Sequence, residues 1–229
     1  MGSVGLGRVE AAAKPRFNGR LVAWLTFVGF LALVNWAGRI AGGKPPKDAA
    51  YRWDLGIGSV IQFGFMLLVI ALIARGDWGL LALRRPRSWK GAVGTAVLVL
   101  IAVNIVALAT EPFLHAGREQ GLTPTRWEPS HAPQFALFAF AVVVMAPITE
   151  ELAFRGLGYG LLRPFGLVLA IVGSAVLWAF AHGLLDALPV ITMLGIGLAW
   201  LRYKQDSTIP GMILHGAFNG IALAGALAT

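Results

Sequence analysis

Seven apolar stretches, each near the length of a bilayer crossing, constrain this chain more than any other feature. They are Leu21 to Gly38, Leu55 to Ala74, Gly91 to Thr110, a run opening at Gln134, Phe165 to Gly183, Leu188 to Tyr203 and Ile209 to Ala228. A hydrocarbon core about 30 Å thick needs about 20 apolar residues in helical form. Lipid offers no hydrogen bonds, so only helices and closed barrels cross it. Barrel strands alternate apolar and polar residues, whereas these runs are continuous. The sequence therefore predicts an all-α fold, a polytopic membrane helix bundle of about seven transmembrane spans. Apolar residues at 57%, charged residues at 13% and a mean hydropathy of +0.73 agree with that class and exclude an ordinary soluble domain.

The charge lies between the runs. A net charge of +8 raises the question of nucleic acid, but the Lys and Arg sit in loops and at span ends, so no nucleic-acid partner is expected. The densest basic segment is Arg75 to Lys90, with Arg84, Arg85 and Arg87 around Trp78 and Trp89, and it reads as a short interfacial helix facing anionic headgroups. Sorting the 19 Lys and Arg by the seven-span topology places thirteen on the side of the N-terminus and six on the other. That asymmetry predicts a cytoplasmic N-terminus. The N-terminal segment to Arg20 carries Arg8, Lys14 and Arg16, but no A-x-A-like cleavage signal stands after the apolar run that follows it, so the first run is expected to be retained as a span. No cysteine is present, which removes disulfides, thiolate metal sites and cysteine nucleophiles. Residues 1–133, with tail, first spans and basic segment, and residues 134–229, with the polar motifs below, are read as one integrated membrane domain.

One hexad violates the apolar pattern. Glu150-Glu151-Leu152-Ala153-Phe154-Arg155 continues directly from the run Phe135 to Ile148. A charge near a membrane helix centre costs about 2.5–3.5 kcal/mol, so three need partners. Glu151 and Arg155 stand four apart on one helix face and can pair, while Glu150 points about 100° away. A purely structural ion pair is the competing reading. His182 ends the fifth span, and His215 and Asn219 share one face of the seventh. If the fourth helix continues to Leu162, Glu150 lies about 18 Å from the cytoplasmic end, with His182 about 24 Å, His215 about 9 Å and Asn219 about 15 Å along their own helices. A fourth span stopping at Arg155 would instead put Glu150 and His182 on opposite sides.

Chemically, a carboxylate and an imidazole sharing a water form a general-base pair, and His215 with Asn219 can donate to a developing oxyanion. Glu150, His182 and His215 are equally candidates for a two-histidine, one-carboxylate site for zinc or another divalent metal. There is no His-Glu-x-x-His helix and no Gly-x-Ser-x-Gly elbow.

Glu150-Glu151-x-x-x-Arg155, His182 closing a second motif and His215-x-x-x-Asn219, in this order, resemble the CPBP intramembrane protease family of type II CAAX prenyl endopeptidases and bacteriocin-processing and immunity proteins. Leu80 to Pro86 also looks like the basic stretch preceding that family's domain. One position departs: Trp178 stands four residues before His182 where the family pattern usually has Phe. The aromatic there is expected to pack rather than react. The resemblance implies a membrane-embedded endopeptidase in which Glu150 and His182 activate water, Glu151 and Arg155 support the site, and His215 with Asn219 bind the oxyanion or a metal. It leaves the metallo- and glutamate-type mechanisms both open. Gly/Ala/Arg-rich composition suggests a prokaryotic plasma membrane, with a peptide or membrane-protein substrate, as in bacteriocin maturation or immunity. The alternatives are a catalytically silent immunity or scaffold protein and a proton-coupled transporter-like protein. Oligomeric state is not legible, and Gly216-x-x-x-Gly220 is expected to serve packing within the chain rather than a dimer face.

Overall fold

The computed structural model describes residues 18–42, 48–116 and 126–228. Seven helices fall in those residues: α1 Gly19–Ile40, α2 Trp53–Ala74, α3 Trp89–Thr110, α4 Pro129–Phe165, α5 Leu169–Ala181, α6 Leu188–Gln205 and α7 Ile209–Ala228. The all-α expectation holds, and α1 to α4 are each long and apolar enough to cross a membrane. α5 is shorter than a full crossing. The N-terminal tail expected to face the cytoplasm lies outside the described residues, as do Lys44, Lys47 and Arg118 of the opposite side.

Local chemistry sets the starts. Asn18 accepts a hydrogen bond from Leu21 N at α1, and Ser88 accepts from Gly91 N at α3, each satisfying a donor that a helix N-terminus leaves open. The basic segment differs from expectation. It forms only a 3₁₀ turn, Trp78–Leu81, then extends and pairs with the α6–α7 turn: Arg87 N donates to Gln205 O, Ser88 N to Gln205 Oε1 and Thr208 N to Ala82 O. Pro86 and left-handed Ala82 (φ 49°) break the helical run.

α6 lies at the centre, packed against α3 and α5, with Leu194, Leu198, Ala199 and Leu201 buried. α1 covers α5, and α7 lies against α4 and α6. The outer faces of α1, α2 and α3 expose Phe30, Leu33, Ile61, Leu72, Leu98 and Ile105. In water such a surface would aggregate; against lipid it is the expected boundary.

Two close approaches fix α4. Trp24 Nε1 of α1 donates to Ala153 O at 2.8 Å, and a Cβ at Gly158 would lie 2.3 Å from the same indole. On the other side, a Cβ at Gly216 would lie 2.7 Å from Val143 O, and one at Gly220 would lie 3.5 Å from Val143 Cγ1. The Gly216 and Gly220 pair therefore serves packing within the chain, as expected.

Candidate active site

α4 is continuous through the hexad to Phe165, the condition under which the sequence brings its polar residues together. It is not a uniform α-helix. Ala141–Met145 and Glu151–Gly158 are π-helical, a geometry that recurs at functional sites because it shifts the facing of side chains. The first π stretch has a sequence cause. Ala146 N donates to Ala141 O in the π register; the next donor in that register would be Pro147, which has no N–H. Val142 O is left without its partner, and Asn219 Nδ2 of α7 donates to it at 2.9 Å. One amide hydrogen of Asn219 thus ties α7 to α4, leaving the second for another acceptor.

Glu151 and Arg155 form the pair expected from their spacing. Arg155 Nη1 donates to Glu151 Oε1 at 3.0 Å with both side chains fully buried. Arg155 Nη2 also donates to Gly195 O on α6 at 3.1 Å, and its Cζ lies 4.3 Å over the Trp178 ring. Burial of the whole pair is tolerable only with such added partners.

Glu150 is the carboxylate that faces the shared space. Its Oε2 accepts from Trp178 Nε1 at 2.7 Å and lies 3.8 Å from His182 Nε2 and 3.9 Å from His215 Nε2. Its side chain keeps 15% exposure, against none for Glu151. The tautomer of His182 follows from its other nitrogen: Nδ1 lies 2.8 Å from Trp178 O, a carbonyl that only accepts. Nδ1 therefore carries the proton and Nε2 presents a lone pair towards Glu150. His182 is held at the end of α5, where Gly183 takes the left-handed conformation (φ 68°) that terminates the helix. α1 secures that end, with Asn35 Nδ2 donating to Ala181 O and Trp36 Nε1 to Phe180 O.

His215 sits between the carboxylates, with Nε2 towards Glu150 and Nδ1 3.4 Å from Glu151 Oε1. Trp178 organises all of these groups. Its ring meets His182 and His215 edge to face at 4.8 and 5.3 Å, lies beneath Arg155 and donates to Glu150. Sequence reasoning treated this position as a packing aromatic. A buried indole N–H needs an acceptor, and that need is the signal which could have identified the role.

The geometry also tests the ion-binding alternative. Tetrahedral zinc with bonds of about 2.0–2.2 Å holds neighbouring donor atoms about 3.3–3.6 Å apart. Glu150 Oε2 stands further than that from both histidine nitrogens. Among the described residues no group of three or more His, Cys, Asp or Glu side chains is arranged to hold a metal ion. The three side chains converge on one space, spaced slightly wider than a tetrahedral donor set. A water hydrogen-bonded at about 2.8 Å to each of two acceptors fits the wider spacing without rearrangement.

Residues 132–221 match the family model described as type II CAAX prenyl endopeptidase, Rce1-like. The matched segment contains all six residues of the constellation, and it bears out the resemblance read from their order. No curated protein and no solved structure matches the chain.

Proposed function

We propose that this chain is a membrane-embedded endopeptidase that hydrolyses a peptide bond with water activated by Glu150 and His182. The observation that carries the reading is the position of Glu150 Oε2, within 4 Å of two imidazole Nε2 atoms in a site enclosed by α4, α5 and α7. The family match supports the same activity.

In this mechanism a water donates one hydrogen to Glu150 Oε2 and the other to His182 Nε2. Glu150 takes the proton as the water oxygen attacks the scissile carbonyl carbon. The carbonyl oxygen becomes an oxyanion and accepts from His215 Nε2–H, with the free amide hydrogen of Asn219 as a second donor. Collapse of the tetrahedral intermediate breaks the C–N bond, and protonated Glu150 returns its proton to the leaving amine. Glu151 and Arg155 touch no reacting atom; they hold Trp178 and His215 in place. The site lies among spans, so the substrate is a peptide or membrane protein presented in or at the bilayer. The proposed setting is a prokaryotic plasma membrane with the N-terminus cytoplasmic, and the proposed roles are peptide or bacteriocin processing, or immunity.

The test is purified protein in detergent with a library of membrane-tethered peptides, half carrying a C-terminal prenylated cysteine, with products mapped by mass spectrometry. Cleavage at defined peptide bonds supports the reading, and the preferred half assigns the substrate class. Absence of any cleavage across the library would count against it.

A further inference from the structure

A second polar cavity lies away from the catalytic constellation. It has a volume of about 390 Å³ and is enclosed by the Trp78–Leu81 turn, the C-terminal end of α4 and the C-terminal end of α6. Arg87, Arg163 and Arg202 line it, with Tyr159 and Tyr203, and among the described residues its only acids are Asp77 and Asp206.

Both acids are already engaged. Asp77 pairs with Arg20 at 2.9 Å. Asp206 is shared by Arg84 at 2.7 Å and Arg202 at 2.8 Å, a position set by its left-handed backbone (φ 52°) at the end of α6. Arg87 and Arg163 have no ion pair among the described residues. Among the described residues five guanidinium groups thus meet two carboxylates, an excess of three positive charges. The carbonyl ends of α4 and α6 oppose an anion here, but each helix end contributes only about half an elementary charge, which the arginines exceed. Arg202 lines the same cavity from α6. Its side chain is 8% exposed, its guanidinium lies 5.1 Å from the Tyr159 ring, and its Nε is buried with no hydrogen-bond partner.

We infer that this cavity binds a phosphate group, with Arg87 and Arg163 as its principal contacts. Phosphate oxygens match the planar guanidinium fork and provide enough acceptors for several arginines at once. The cavity stands at the helix ends beside the basic segment Arg75 to Lys90, where the headgroup of an anionic lipid would reach it, and a free phosphate has the same chemistry. The inference does not depend on the protease reading, since none of these residues belongs to the constellation around Glu150.

The experiment compares full-length protein in neutral detergent with the R87Q/R163Q variant, which leaves the Arg84–Asp206–Arg202 cluster intact. Thermal unfolding and native mass spectrometry are recorded with phosphatidic acid, with phosphatidylglycerol, with phosphatidylcholine and with inorganic phosphate alone. Saturable binding of an anionic phosphate species by the wild type, weakened at least tenfold in the variant with an unchanged ligand-free midpoint, is the expected result. Binding confined to the lipids assigns a headgroup; binding of inorganic phosphate at comparable concentration assigns the free ion. Equal binding by wild type and variant, or no preference over phosphatidylcholine combined with no inorganic phosphate binding, would overturn the inference.

Discussion

Trp178 Nε1 donates a 2.7 Å hydrogen bond to Glu150 Oε2, so the side chain that holds the proposed base in place comes from a different helix, four residues before the proposed second base His182. The same indole packs against His182, His215 and Arg155. Trp178→Phe removes the donor and part of a buried bicyclic ring. A hydrogen bond to a charged group is worth about 1.5–3 kcal/mol, and 1.36 kcal/mol is tenfold in rate. We expect kcat to fall at least tenfold, by more than KM rises, in a protein that still folds with a lowered unfolding midpoint, measured by peptide cleavage kinetics and thermal unfolding. An unaltered kcat would reduce Trp178 to a packing residue.

The Glu151–Arg155 pair carries stability rather than chemistry. Removing one partner of a fully buried pair costs about 3–5 kcal/mol, because the other is left as an uncompensated charge. Arg155→Met should therefore lower the thermal midpoint severely. Combining it with Glu151→Gln should recover part of the loss, a non-additivity that a double-mutant cycle in detergent would quantify.

Asn219 completes a backbone that Pro147 leaves open. Asn219→Ala strands Val142 O and should cost about 1–3 kcal/mol. Pro147→Ala supplies the missing N–H. In the Asn219→Ala background it should restore stability, while restoration of activity would show that Asn219 has no second duty towards the oxyanion.

Asp206 links the α6–α7 turn to the basic segment. Burial pushes its carboxyl up, but hydrogen bonds from Arg84 and Arg202, with their charges, together outweigh burial and hold it below the usual 3.8. A depressed folded-state value means that the contribution is fully present above about pH 4 and is lost as pH falls through the lower folded-state value. The difference in unfolding midpoint between wild type and Asp206→Asn should therefore be constant from pH 5 upwards and shrink below pH 4.

The donor spacing makes a prediction about metal. Cleavage should persist in saturating EDTA or phenanthroline, assayed after dialysis. Loss of activity that stoichiometric zinc restores would show that Glu150, His182 and His215 close around an ion in the working enzyme.

The helices and the pairing of Glu151 with Arg155 were legible because hydropathy and the four-residue spacing are local properties. The convergence of Glu150, His182 and His215 was legible only conditionally, since it depended on α4 running past Arg155. The roles of Trp178 and Asn219 were not. Both depend on where a neighbouring helix leaves an acceptor, Glu150 Oε2 in one case and Val142 O in the other, and the second exists only because a π register meets Pro147. The basic segment was misread as a helix because its apolar and basic content suits an interface. Pairing of its backbone with Gln205 and Thr208, far along the chain, decides its extended form.

The most direct measurement is the cleavage rate of a membrane-tethered peptide by Glu150→Gln beside the wild type, with thermal unfolding recorded on both. Glutamine keeps the shape of the side chain and can still accept from Trp178 Nε1, but it cannot take a proton from water. The account predicts a folded protein whose cleavage falls by at least a thousandfold. A Glu150→Gln variant that folds and cleaves at the wild-type rate would contradict it and leave a binding or scaffold role for the constellation.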